Sequence, residues 1–227
     1  MRDIVVAELR RRWRSARIIH ELPLRYSAKR IDLAAITEAE IISVEIKSSR
    51  DVVDRVEAQV RAFLPISTRV IVALAPKWNE KLPLREERHP NHTSYIQPLT
   101  EAQNVIRRIG DSCVETWTVD SEGQGIEVTD DAFRKNEHPW PARILDILDV
   151  AELVEIAIAH RLSVAKRPVH ADLVALCCGS MTGREVTAAV CRALRAREAF
   201  GASSDPPIKA ADPPDKSVNL MEQRTLF

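Results

Sequence analysis

The order of short apolar runs in the first third of the chain most constrains its fold. Four segments rich in β-branched residues read as strands: RIIHELPLR from Arg17, RIDLAAIT from Arg30, EIISVEIK from Glu40 and RVIVALA from Arg69. Between the third and fourth lies DVVDRVEAQVRAF, whose apolar residues recur at helical spacing behind Asp51, a predicted N-cap. Strand, helix and strand in this order make a crossover, which places the two strands parallel in a mixed sheet.

Further segments extend this α/β pattern to about residue 130. Residues 2–16 have apolar side chains at helical spacing and arginines on the other faces, which predicts a basic amphipathic helix. The stretch from Trp78 to Leu99 has three prolines and little periodicity, and we expect a long surface excursion there. A helix around 100–109 and two strands, CVETWTV and GIEVT, follow.

The remainder of the chain has a purely helical pattern and then a proline-rich end. Helical periodicity begins after His138, and Thr182 with Glu185 forms a predicted capping box for the last helix. Residues 201–222 contain four of the 13 prolines and almost no apolar periodicity. We therefore predict an α/β domain over 1–135, an all-helical C-terminal module over 136–200, and a flexible linker and tail over 201–227.

Composition excludes several classes of protein. The first glycine is Gly110, so the first half lacks the glycine-rich turn of a P-loop or a Rossmann domain. The apolar runs are too short to span a membrane. The four cysteines lack C-x-x-C spacing and the N-terminus is charged, which indicates a reducing, cytoplasmic protein.

The overall charge balance argues against a strongly basic nucleic-acid binder. The 33 basic residues are matched by 33 acidic residues. Residues 1–17 nevertheless hold six arginines against Asp3 and Glu8. This local excess of positive charge is compatible with binding to DNA at one site of the protein.

A pair of acidic side chains and an amine are predicted to meet on the sheet. Alternation along EIISVEIK places Ile42, Val44 and Ile46 on one face and Ser43, Glu45 and Lys47 on the other. In the preceding strand, Ile31, Leu33 and Ala35 are expected on one face and Asp32 on the opposite one. If the two strands pair as a hairpin, Asp32 and Glu45 converge, and two hard carboxylates at one place favour Mg²⁺.

These residues resemble a known superfamily. Asp32, followed on the next strand by Glu45-x-Lys47, is similar to the signature of the PD-(D/E)XK, or restriction-endonuclease-like, nucleases. The text from residue 17 to 76 looks like the bacterial and prophage branch, which includes DNA-repair-associated and uncharacterised members. The resemblance implies a mixed central sheet with flanking helices, the restriction-endonuclease-like core.

The resemblance also implies roles for individual residues. Asp32, Glu45 and the carbonyl of Ile46 would hold Mg²⁺ or Mn²⁺, and Lys47 would be the catalytic lysine. An upstream glutamate often joins the ligands, and both Glu21 and Glu8 remain candidates. Gln59 matches a glutamine on the helix that follows the lysine strand, although the tyrosine usual four residues later is a phenylalanine here.

Other residues are candidates for contacts with partners. Four arginines are candidate phosphate contacts: Arg50, Arg55, Arg11 and Arg12. The last five residues, QRTLF, resemble the short peptides by which bacterial repair and replication proteins bind the sliding clamp. In that resemblance Gln223, Leu226 and Phe227 would be the anchors, on a tether that raises the local concentration of the enzyme near DNA.

The sequence therefore predicts a metal-dependent nuclease that hydrolyses DNA phosphodiester bonds in repair, recombination or a mobile-element setting, with RNA as an open alternative substrate. A second hypothesis is a catalytically inactive DNA-binding or repair-scaffold protein with the same fold. A prophage defence component is a third. No membrane partner is expected.

Overall fold

The computed structural model describes residues 1–80, 85–89, 92–96, 100–109, 114–120, 122, 125–130, 139–198 and 200–208. These residues form an α/β fold with a mixed sheet and flanking helices. In chain order the elements are α1 (Arg2–Arg12), β1 (Arg17–Pro23), β2 (Arg30–Ile36), β3 (Ile41–Lys47), α2 (Val56–Phe63), β4 (Arg69–Leu74), β5 (Arg85–His89), β6 (His92–Ile96), α3 (Glu101–Ile109), β7 (Val114–Val119), β8 (Ile126–Asp130), α4 (Pro141–Leu145), α5 (Val150–Ala159), α6 (His170–Ser180) and α7 (Gly183–Ala196).

The main sheet has six strands in the order β1-β2-β3-β4-β7-β8. Strands β3, β4 and β7 run parallel to their neighbours in this set, and the β1–β2, β2–β3 and β7–β8 pairs are antiparallel. The predicted mixed sheet with a β3–α2–β4 crossover is confirmed. The predicted excursion between Trp78 and Leu99 is wrong in one respect, because β5 and β6 pair there as a separate antiparallel hairpin.

Two apolar layers cover the sheet. On one face, the α1 residues Val5, Val6 and Leu9 pack with sheet residues that include Ile42 and Trp117. On the other face, α2 and the C-terminal helices α4 to α7 pack in one continuous core against the sheet. The C-terminal helices therefore share a core with the strands, and the predicted boundary at residue 135 lies outside the described residues.

The helix that follows β3 begins later than predicted. A 3₁₀ turn over Val53–Arg55 precedes α2, so Asp51 is not its N-cap. The Asp51 carboxylate instead accepts hydrogen bonds from the backbone N–H and the hydroxyl of Ser48, at 2.7 and 2.6 Å. The prediction failed because this nearer donor pair at the end of β3 satisfies the carboxylate. Val52, predicted to face the core, is 56% exposed.

The C-terminal helices follow the predicted pattern closely. Thr182 and Glu185 form the expected capping box at the start of α7. Asp149 and Glu152 form a second one at the start of α5. None of the helices in the described part of the chain is both long and apolar enough to cross a membrane.

The chain after α7 returns to the edge strand β1. The backbone N–H of Asp205 donates to the Ile18 carbonyl and the Asp205 carboxylate accepts from the Ile18 N–H, at 2.8 and 2.9 Å. The buried Arg17 guanidinium binds the last carbonyls of α7 and the Asp205 carbonyl. The first residues of the predicted flexible linker, through Ile208, are thus bonded to the fold because they satisfy an otherwise open strand edge.

Candidate functional site

Glu45, Lys47 and Gln59 form one hydrogen-bonded cluster between the sheet and α2. The Lys47 ammonium donates to Glu45 Oε1 at 2.6 Å and to the Gln59 side-chain carbonyl at 2.9 Å. The Gln59 amide N–H₂ also donates to Glu45 Oε1. The Glu45 and Lys47 side chains are 2% and 8% exposed. The predicted alternation in β3 thus brings the acid and the amine to the α2 face, and the crossover brings Gln59 to them.

Asp32 lies beside this cluster on the neighbouring strand. The β2–β3 ladder pairs Leu33 with Val44, and beyond that pair the Asp32 carboxylate accepts the Ile46 backbone N–H at 2.8 Å. The charge of Asp32 helps to raise the pKa of Glu45, so the two carboxylates are near enough to interact. They lie on neighbouring strands, and their joint role as metal ligands stays a prediction.

Side-chain alternation breaks at the acidic residues of β1 and β2. Ile31 packs on the α2 face, whereas Leu33 and Ala35 pack on the α1 face, so the expectation that all three share a face is wrong. The break is shared by β1, where Glu21 has a left-handed backbone with φ of 55°. A non-glycine residue in this region is strained by about 1 kcal/mol or more. Because both strands change faces together, their register continues across the break.

The two candidates for an upstream glutamate have different surroundings. Glu21 Oε1 accepts from the Arg2 guanidinium at 3.0 Å, and the same guanidinium donates to the Asp32 carbonyl at 3.1 Å. Glu8 instead binds Arg11 and Arg12 on its own helix. These contacts place Glu21 in the same hydrogen-bond network as Asp32, which favours Glu21 over Glu8 as the upstream glutamate of the site.

Burial dominates the electrostatics of both carboxylates. Desolvation and the charge of Asp32 raise the pKa of Glu45 to about 7, although the hydrogen bonds from Lys47 and Gln59 act in the opposite direction. Burial also raises the pKa of Asp32, against the lowering effect of the Ile46 N–H and of Arg2. The protein thus holds acidic groups where their negative charge is costly, a common property of functional sites.

The oxygen atoms of Asp32, Glu45 and Ile46 suit a divalent cation. Glu45 Oε2 is buried and has no hydrogen-bond partner within the described residues. Such an oxygen is costly unless a cation or a water meets it. Mg²⁺ and Mn²⁺ prefer hard oxygens and commonly keep several waters, so Asp32, Glu45 and the Ile46 carbonyl suit such an ion. Across the part of the chain that the structure describes, no group of three or more His, Cys, Asp or Glu side chains is arranged as a metal site.

The four candidate phosphate-contacting arginines differ in their availability. Arg50 and Arg55 are exposed near the end of β3. Arg11 is 69% exposed while it pairs with Glu8. Arg12 lies over the Trp117 ring, 4.7 Å from its centroid, and also approaches buried Glu115. Arg12 therefore has a structural role in the contact between α1 and the sheet.

An open groove of about 370 Å³ lies at the carboxyl ends of the parallel strands. Its lining includes Ser48 after β3, Pro76 after β4 and Asp120 after β7, together with Met1 and Ile4 of α1. Ligands of open α/β sheets commonly bind at these strand ends. No local sequence pattern predicts this groove, because its residues come from four separate segments.

The same limitation applies to Arg2. The sequence analysis did not predict a role for Arg2, although a basic residue in the first turn of a helix is electrostatically unfavourable and indicates a contact with another element.

The predicted clamp-binding residues Gln223, Leu226 and Phe227 lie outside the described residues.

One family comparison bears on this region. Residues 3–93 match the model of a family described as bacteriophage P4 protein cII. The matched segment is less than half of the chain and contains Asp32, Glu45, Lys47 and Gln59. No curated protein and no solved structure gives a significant match.

Proposed function

We propose that this protein is a metal-dependent nuclease that cleaves DNA, with a restriction-endonuclease-like core. The observation that carries the proposal is the hydrogen-bonded cluster of Glu45, Lys47 and Gln59 beside Asp32, in which one buried Glu45 oxygen has no partner among the described residues. Burying an acid, an amine and an amide together costs several kcal/mol in desolvation. A function that uses these groups accounts for that cost.

The residues have distinct roles in this proposal. Asp32, Glu45 and the Ile46 carbonyl would hold Mg²⁺ or Mn²⁺, and Glu21 would act through its ion pair with Arg2, which also contacts Asp32. When bound, the cation would polarise the scissile phosphate and lower the pKa of an attacking water. The Lys47 ammonium would orient that water and offset charge on the phosphate. Gln59 fixes the positions of both Glu45 and Lys47 by hydrogen bonds.

Cleavage assays test the proposal. Purified protein is incubated with single-stranded, double-stranded, flapped and branched DNA, and with RNA, in Mg²⁺, Mn²⁺ or EDTA. We expect cleavage that requires the metal and that Asp32→Asn and Lys47→Met each abolish. Arg14→Gln, which removes a charge at an exposed position after α1, is the control, and this variant should cleave DNA as the wild type does. Intact substrates in every metal, with no difference among the variants, would refute the nuclease proposal.

A catalytically inactive DNA-binding or repair-scaffold protein is the second candidate. It is favoured by the contacts of Lys47, whose side chain is 8% exposed and whose ammonium already donates to two side chains. Fluorescence anisotropy with labelled DNA separates the two functions. Binding that needs no metal and is unchanged in Asp32→Asn, without cleavage, would support the scaffold.

The setting and partners are also proposals. The match to a bacteriophage family supports a phage or prophage setting. The C-terminal QRTLF supports recruitment to a sliding clamp through Gln223, Leu226 and Phe227. Deletion of these five residues should abolish binding to a purified bacterial clamp in surface plasmon resonance, and unchanged affinity would refute the recruitment.

A further inference from the structure

Arg2 bridges two acidic residues at the edge of the candidate site. Its guanidinium is 3.0 Å from Glu21 Oε1, 3.1 Å from the Asp32 carbonyl oxygen and 4.0 Å from Asp32 Oδ1. The Arg2 and Glu21 side chains are 39% and 47% exposed, whereas the Asp32 side chain is 23% exposed. Two largely accessible side chains, Arg2 and Glu21, therefore lie beside the less exposed carboxylate of Asp32.

The position of Arg2 in its helix does not by itself stabilise a cation. Arg2 is the first residue of α1, where the partial positive charge of the helix N-terminus disfavours a basic side chain. Asp3 is the acidic residue in that first turn. The guanidinium is thus held by the carboxylates of β1 and β2 rather than by its own helix.

One carboxylate oxygen at this site lacks a partner. Ion pairs join Arg2 to Glu21 and Asp32, and Lys47 to Glu45, and Lys29 also interacts electrostatically with Glu45. The buried Glu45 Oε2 nevertheless has no hydrogen-bond partner within the described residues, so a positive or proton-donating group is lacking at that oxygen. A divalent cation would meet this deficit, but it would also be repelled by the guanidinium beside Asp32.

We propose that Arg2 is an intramolecular counter-cation that weakens divalent-cation binding at Asp32 and Glu45, and that a bound cation displaces it from Asp32. The inference rests on the proposed function, because it assumes that these two carboxylates take a divalent cation. The Arg2 guanidinium lies 4.0 Å from Asp32 Oδ1, so the metal and the guanidinium compete for the same negative charge.

Isothermal titration with Mn²⁺ alone tests the competition on the full chain at pH 7.5. Removing the unit charge of Arg2, which lies about 4 Å from the Asp32 carboxylate, should tighten Mn²⁺ binding by roughly tenfold in a partly exposed site. We therefore expect Arg2→Gln to bind Mn²⁺ about tenfold more tightly than the wild type. Arg2→Lys keeps the charge and should stay within about twofold of the wild type. Arg14→Gln removes the same charge from an exposed position and should also leave the affinity unchanged.

The outcomes separate this inference from the proposed function. Mn²⁺ binding that Asp32→Asn weakens, with Arg2→Gln equal to or weaker than the wild type, would overturn the role of Arg2 and leave the metal site standing. Heat changes that are absent in both the wild type and Arg2→Gln would overturn both proposals. Should Arg2→Gln fail to fold by circular dichroism, Arg2→Met, which keeps the aliphatic stem, replaces it in the same comparison.

Discussion

Replacing Arg17 with methionine should uncouple the C-terminal helices from the edge of the sheet. The Arg17 side chain is buried, and its Nη1 group donates to the carbonyls of Leu194, Arg195 and Arg197 at 2.8, 3.0 and 2.6 Å. Its Nε group donates to the Asp205 carbonyl at 3.0 Å. One side chain of β1 thus donates to the carbonyls at the end of α7 and also binds the segment that follows α7.

The expected loss follows from these contacts. Nη1 carries two hydrogens and Nε one, so three N–H groups serve these four carbonyls. At about 1.5–3 kcal/mol for each charged N–H donor, the gross stabilisation is roughly 4.5–9 kcal/mol. Burial of the guanidinium costs several kcal/mol, which is why desolvation lowers the pKa of Arg17. We therefore expect Arg17→Met, which roughly conserves volume, to lower the free energy of unfolding by about 3–5 kcal/mol.

Urea denaturation monitored by circular dichroism measures this loss. Arg10→Gln is the matched control, since exposed Arg10 also binds Asp205 but through a surface pair worth about 0–1 kcal/mol. Amide hydrogen exchange should accelerate at Asp205 and Ile208 in Arg17→Met, because their N–H groups bond to β1 and α7. A loss below about 1 kcal/mol, with unchanged exchange at these amides, would refute the reasoning.

Three further predictions concern the same fold. The hydrogen bond from Arg11 is the main cause that lowers the pKa of Glu8 from 4.5 to about 2. The Glu8 carboxylate therefore stabilises the folded protein fully above pH 4.5, the pKa of the unfolded state, and this stabilisation is lost as the pH falls towards 2. Urea titrations should show Glu8→Gln less stable than the wild type by about 1 kcal/mol at pH 7 and equal to it near pH 2, and a constant difference would contradict this. Phe63→Ala should cost about 3–5 kcal/mol of unfolding free energy in the same assay, because Phe63 is fully buried, and a cost below about 1 kcal/mol would show that the core collapses around it. Gln59→Leu should slow DNA cleavage by roughly tenfold or more through the loss of its bonds to Glu45 and Lys47, and an unchanged rate would remove Gln59 from the site.

Local rules succeeded where a single element decides the outcome. The period of two in β3 was sufficient to place Glu45 and Lys47 on one face, because the side chains of this strand alternate without a break. The strand, helix and strand order was sufficient to make β3 and β4 parallel. The Thr182 capping box depends on four consecutive residues and was equally predictable.

Local sequence rules failed where a group from another segment changes the direction of a side chain or its hydrogen-bond partner. Ile31 was expected beside Leu33, but Glu21 and Asp32 shift both strands to the opposite faces at one place. Alternation cannot reveal such a break, since it requires two strands to deform together. Asp51 was expected to cap α2, but a donor pair at the end of β3 lies closer.

The sequence by itself determined the six strands of the main sheet, the flanking helices, the parallel crossover and the face shared by Glu45 and Lys47. Only the tertiary structure decided that Gln59 bonds to both of them, that Arg2 lies beside Asp32, and that one Glu45 oxygen has no partner among the described residues. The physical reason is distance along the chain. Periodicity sets the direction of a side chain within its own element, whereas burial, charge pairing and hydrogen-bond satisfaction depend on groups from other elements.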